Sequence, residues 1–338
     1  MSILIFPPDY SDIYEIANAT SVQMSYYYND IGKLILDVPA STENAVALKN
    51  GHILYDTVKK IAYTIKNVKV DAKKNNITAN GFTTNEKLNS RVIAASRTIE
   101  TVEADVYGLI GENLRGLSVA MAPIKGLTEA AEATLYGGEL LDEIIPILSA
   151  AGLGHRMNFD HRTKRHTFEI YKGNDFTSGL NAVVFSDDRG TAGDLVINDD
   201  VSEFKNAAYV TATLKDEDDV ETVLTVSVGT AQGDVRHEMW VEFNSGLEKE
   251  ETQAEYRKRM QEYGLEEIGK QIRKFSLSAK ADPSELGVMY DIGDLVVCVF
   301  RRYGLKFIAR IAGVKYKKDS KSDTAEIILG APEIIGEV

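Results

Sequence analysis

The segment Asp291-Ile292-Gly293-Asp294-Leu295-Val296-Val297-Cys298-Val299-Phe300 reads as a turn that launches a strand. Gly293 is free to take the positive φ that a β-branched residue resists. Leu295 to Phe300 is an unbroken apolar run of strand length, the pattern of a strand covered on both faces. Tyr303-Gly304 then turns the chain into Leu305 to Val314. The polar run Lys317-Lys318-Asp319-Ser320-Lys321-Ser322-Asp323 makes a hairpin before Thr324 to Leu329 and Gly330. The carboxyl end is thus a meander of the kind that closes a small barrel, and not a catalytic loop.

Two further stretches belong with this one. Ile13-Tyr14-Glu15-Ile16 and Gly32-Lys33-Leu34-Ile35-Leu36-Asp37-Val38-Pro39 open the chain, and Ala309-Arg310-Ile311 and Ile327-Ile328-Leu329-Gly330 lie in the meander. Together with Asp291–Asp294 they resemble the siphovirus tail-hub family of phages and prophages of Gram-positive bacteria. More distantly, the chain is similar to the baseplate hub proteins of contractile tails. The resemblance spans nearly the whole chain. It implies a trimer in which each subunit gives two tube-like barrels, so that three subunits mimic a sixfold tube. Larger relatives can carry a peptidase or muralytic module beyond the hub, and the resemblance leads us to expect none after the meander here.

The 338 residues suffice for two or three domains and a core that needs no staples. With 44% hydrophobic and 26% charged residues, the composition is that of a globular protein. No apolar run approaches the roughly 20 residues that cross a bilayer. The start, Met1 to Pro8, lacks the basic region and the length of a signal peptide. The expected site of synthesis is a bacterial host cytoplasm, and the expected destination a virion tail. The single cysteine, Cys298, excludes an internal disulfide and reads as a core hydrophobe. A net charge of −13 opposes specific or general nucleic-acid binding, although an acidic channel would let DNA pass.

The expected class is α+β, mainly β: two small tube-like antiparallel β-barrels, a helix-containing insert and one long helix. Residues 1–100 read as the first barrel, with strands over Thr20–Tyr28 and Lys33–Val38, a turn at 29–32 and another at 73–76. Ser41 or Thr42 caps a short helix. Residues 101–180 form the insert, with helices over Glu103–Leu114 and Glu139–Ala151, Pro146 kinking the second or ending a turn. A hairpin follows around His161-Arg162-Thr163-Lys164-Arg165. Residues 181–338 form the second barrel and include the long helix at 248–275, striped by Tyr256, Met260, Tyr263, Ile268, Ile272 and Phe275. Gly264 and Gly269 should weaken that helix by about 1 kcal/mol each. Segments exchanged between the barrels would make these domains discontinuous.

Chemistry is sparse. Among the five histidines, His161 and His166 flank the hairpin turn, with Asp160 and Glu169 as possible oxygen donors, but Arg156, Arg162, Lys164 and Arg165 oppose a divalent ion. Asp216-Glu217-Asp218-Asp219 lacks the spacing of a calcium loop. Asp187-Asp188 and Asp199-Asp200 are adjacent pairs whose side chains point to opposite faces of a strand, so neither is a glycosidase pair. There is no phosphate loop, nucleophile elbow or HExxH motif. No cofactor, metal or catalytic residue is expected.

The expected function is therefore structural: a ring-forming hub that joins tail tube to distal tip. Expected partners are copies of itself and the tube and tip proteins. Candidate interface residues are Tyr26, Tyr28, Asn29, Asp30, His161, Arg162, Lys164, Arg165, Tyr256, Met260 and Tyr263. The alternatives are a cell-wall polymer hydrolase, or a carbohydrate-binding module using Tyr26–Tyr28 or Trp240.

Overall fold

A computed structural model describes residues 3–186, 188, 193–215, 221–248, 251–271, 274–281, 285–330 and 333–337. It is mainly β, with 48% of residues in strands and 20% in helices. The described residues form two compact units, Met1–Val196 with Leu277–Val338, and Ile197–Ser276. This division by compactness runs elsewhere than the linear one at residues 100 and 180.

The first unit is built on one large sheet. Its hydrogen-bonded order is Tyr14–Ile16, Ile3–Phe6, Ile53–Asp56, Ile61–Asp71, Asn76–Thr83, Lys33–Pro39, Ser21–Tyr27, Leu305–Asp319 and Asp323–Leu329, then residues 277–281. Every one of these neighbours is antiparallel. Alternation explains the faces: Leu34, Leu36 and Val38 are buried, while Lys33 and Ile35 face outward. The order is an open path, with no closing pair among the described residues.

The strand Leu305–Asp319 belongs to two sheets. Its first part, Leu305 to Arg310, pairs with Leu295–Phe300, as the meander predicts. Its second part, from Gly313 on, lies between Ser21–Tyr27 and Asp323–Leu329. The register slips between Ile311 and Gly313, a bulge where the strand changes sheets. A Cβ on Gly313 would come within 2.3 Å of the Tyr27 ring, so only glycine fits.

Residues Leu88 to Ile170 carry a hydrophobic core of their own within this unit. Short helix α1 (Thr42–Ala47) precedes it, capped by the Ser41 hydroxyl accepting from the Asn44 N–H. Helices α2 (Val102–Asn113) and α3 (Leu140–Ala150) pack in that core through Val106, Ile110, Leu141 and Ile144. Both lie where the apolar spacing predicts. Helix α3 runs on through Pro146 for another turn.

The second unit is a three-stranded sheet, Glu221–Val228, Ala207–Lys215 and Glu238–Glu242, covered on one face by α4 (Gln253–Lys270). Ala208, Val210, Val226 and Val241 meet Tyr256 and Met260 there. Helix α4 is shorter than the predicted 248–275, because Thr252 and Glu255 form a capping box that fixes its start. Gly264 is no weak point: a Cβ there would lie 2.4 Å from Val210 Cγ2, so the glycine permits close helix–sheet packing. The acidic stretch 216–219 and the side chains of Ile272 and Phe275 lie outside the described residues.

Candidate interaction surfaces

The segment Asp291–Asp294 organises a junction inside the first unit. Gly293 has φ +98°, and a Cβ on it would lie 2.5 Å from Cε2 of Tyr28. Its N–H donates to the Ile311 carbonyl, and the Ile311 N–H donates to that of Asp294. The buried Asp294 carboxylate accepts from the backbone and side-chain N–H groups of Asn174 at 2.7 and 3.1 Å, and from the Asp291 N–H at 2.7 Å. Arg310 donates to the Gly293 carbonyl and lies 5.2 Å from the Tyr28 ring centre. Burial pushes the Asp291 carboxyl above its ordinary range.

Tyr28 fills the middle of this junction. Its hydroxyl lies 3.0 Å from the Gly152 carbonyl and 3.1 Å from that of Tyr171, and its ring packs edge-on against Tyr171. At 2% exposure it is spent on packing within the chain. Tyr256 and Met260, at 1% and 0%, are likewise spent on the sheet under α4. Tyr263 is partly buried against the same core. Tyr26 is half-buried and stacks on Tyr316, with ring centres 6.0 Å apart. Asn29 is half-buried, while Asp30 is exposed and accepts from the Ile31 N–H. The 73–76 turn is a surface turn held by the Asp71 carboxylate, which accepts from the N–H groups of Lys73 and Lys74.

The hairpin Gly154–Asp160 and Arg165–Tyr171 forms around the expected turn. Its tip is partly tied down: His161 stacks on Tyr55, and Lys164 Nζ donates to the Tyr10 carbonyl at 2.6 Å. Arg162 and Arg165 stay exposed. His166 turns inward, with Nε2 3.1 Å from the Tyr10 hydroxyl and 3.0 Å from Lys87 Nζ. Burial, and then the Lys87 charge, lower its pKa to about 3, and burial lowers that of His155 to about 4. Burial also lowers the pKa of Lys87, to about 8. Burial opposes ionisation of Glu169, but hydrogen bonds from Arg156 and Lys125 outweigh it and bring the carboxyl down to about 2. Glu169 is thereby committed to Arg156, Lys125 and Asn158, and His161 and His166 have separate ring partners.

Asp188 pairs with Arg301 at 2.7 Å, and the Asp200 carboxylate accepts from the Ser202 N–H; Asp187 lies outside the described residues. Cys298 is buried and its thiol is pushed up to about 12 by burial, as befits a core residue.

Two exposed surfaces stand out. In the first unit a cleft of about 560 Å³ is lined by Phe176, Leu180, Phe185, Val288, Met289 and Tyr290. Leu180, Val288 and Met289 are at least 61% exposed. The sequence reading missed them, though apolar side chains beside turn glycines (Gly179 and Gly287, both φ +80°) are a signal that was there to read. In the second unit, the sheet face away from α4 carries Trp240 and Tyr209, paired across adjacent strands.

Both units belong to a fold seen in phage tail proteins. A tail protein from Neisseria meningitidis MC58 superposes with a TM-score of 0.57 at 12% identity, over 98% of this chain and 96% of that one. The 43 kDa tail protein of prophage MuSo2 from Shewanella oneidensis gives 0.55 at 13%, over 97% and 98%. The prophage tail protein gp18 from Listeria monocytogenes EGD-e gives 0.54 at 14%, over 100% and 95%. The chain belongs to the Siphovirus ReqiPepy6 Gp37-like protein family, whose model matches residues 114–331, well over half its length. No curated protein matches it in sequence.

Proposed function

We propose that the chain is a ring-forming hub at the distal end of a phage tail tube. At the level the family defines, it is a structural component of a phage tail tip or baseplate, and its place is the virion tail. It is a tail structural protein, not an enzyme. The observation that carries the reading is the family match across 114–331, in a chain whose fold follows prophage tail proteins from end to end.

In the finer reading, three copies close a ring around a channel through which DNA passes. Each copy contributes two tube-like sheets that curl into barrels when neighbours add to their edges. The partition into 1–100, 101–180 and 181–338 then describes first barrel, insert and second barrel. The strand Leu305–Asp319 supports two linked sheets, because it pairs in both. Tail-tube and distal tip proteins stack on its two ends, with Asp30, Arg162 and Arg165 as exposed contacts. The Leu180, Val288 and Met289 cleft is the subunit contact, since exposed apolar patches mark association surfaces.

Light scattering on the eluting protein, alone and with tube protein added, tests this. The expected mass is three times 37.3 kDa, and Met289→Asp should shift it to that of one chain. A monomer under both conditions would overturn the ring.

A further inference from the structure

We propose that the open sheet face of the second unit is a saccharide-binding platform. Strand alternation sends Val210, Ala212, Val226 and Val241 towards α4, and Tyr209, Val223 and Trp240 to the other side. Tyr209 and Trp240 face each other across the parallel pair, 37% and 65% exposed. Arg236 lies 5.9 Å from the Tyr209 ring centre, is ion-paired to Glu238 at 2.6 Å and donates to the Ala231 carbonyl, which holds one side of the platform in place.

Beside the indole lies a cleft of about 450 Å³, a size that takes one or two sugar rings. It is walled by Thr211, Thr213, Glu242, Asn244 and Ser245. Glu242 is exposed and has no ion-pair partner among the described residues. The combination selects the ligand class. Flat aromatic faces stack on the apolar faces of pyranose rings, while a carboxylate, an amide and hydroxyls take the ring hydroxyls as hydrogen-bond partners. A protein partner with an apolar core would strip water from Glu242 and leave it unpaired, which is costly. An anionic ligand would meet Glu238 and Glu242 on a chain of net charge −13. A neutral oligosaccharide incurs neither cost. The site does not depend on ring formation.

Trp240 is the sole tryptophan, so its emission reports the platform directly. The intact chain is titrated with the neutral sugars chitotriose, maltotriose and cellotriose, each to about 10 mM. The expected result is a saturable emission change with at least one of them. Tyr209→Ala and Glu242→Gln should each weaken it about tenfold, with an unchanged circular dichroism spectrum. Calorimetry on Trp240→Ala should show the same loss. No saturable change with any sugar would overturn the proposal, as would binding indifferent to both Tyr209→Ala and Glu242→Gln. So would an emission shift that follows protein concentration without sugar, which would make this face a contact between copies.

Discussion

Removing the Tyr28 hydroxyl leaves the part-buried carbonyls of Gly152 and Tyr171 without their shared donor. Tyr28→Phe should therefore cost about 1–2 kcal/mol in denaturant unfolding. Tyr28→Ala, which also empties the space between Gly154 and Gly293, should cost about 3–5 kcal/mol. The buried histidines set the response to acid. In the unfolded chain His155 and His166 protonate below their ordinary 6.5, whereas the fold holds them neutral to about 4 and about 3. The unfolded state thus binds more protons through that window. Their contribution is whole above pH 6.5 and falls as pH drops towards 4 for His155 and 3 for His166. The slope is about 1.4 kcal/mol per pH unit for each histidine. Unfolding midpoints from pH 7 to 4.5 should show this decline, and His155→Gln should flatten it by one histidine's share. A flat profile would mean that neither imidazole is buried. The segment Asp291–Asp294 announces a turn in the sequence, but nothing local shows that its glycine exists to admit a tyrosine from residue 28.

At the scale of elements, the two glycines of α4 make a paired test. Gly264→Ala places a methyl against Val210 and Val228 and should destabilise the second unit by about 1–3 kcal/mol. Gly269→Ala meets nothing within 4 Å and should stabilise by up to about 1 kcal/mol through helix propensity. Equal effects in thermal unfolding followed by circular dichroism would deny the helix–sheet contact. Sequence periodicity alone treats both as helix breakers, because it sees the helix and not the sheet beneath it. The helices α2 and α3, the hairpin at 154–171 and the closing strands were legible, since each writes its apolar period locally. The strand Leu305–Asp319 was legible as a strand but not as a member of two sheets. That depends on which distant segments pair with each half, and neither Ser21–Tyr27 nor Leu295–Phe300 encodes its partner.

For the whole molecule, texture along the chain predicted β-rich ends around helical segments, and the structure keeps that order. The second unit is an excursion between Val196 and Leu277, after which the chain returns to the sheet it left. No composition shift marks those two points. The interaction surfaces were the least legible part: Tyr28, Tyr256 and Met260 look like interface aromatics and anchors by type, yet the chain uses them internally. Residues that are exposed and apolar, Leu180, Val288 and Met289, sit in turns that sequence reading gives to polar residues. The measurement that tests the hub most directly is a reconstruction of the tail tip from intact particles by electron cryomicroscopy. Three copies of this chain in one ring around the channel at the distal end of the tube are predicted, with Met289 in the contact between copies. A different copy number, or density for this chain along the tube wall or outside the channel, would contradict it.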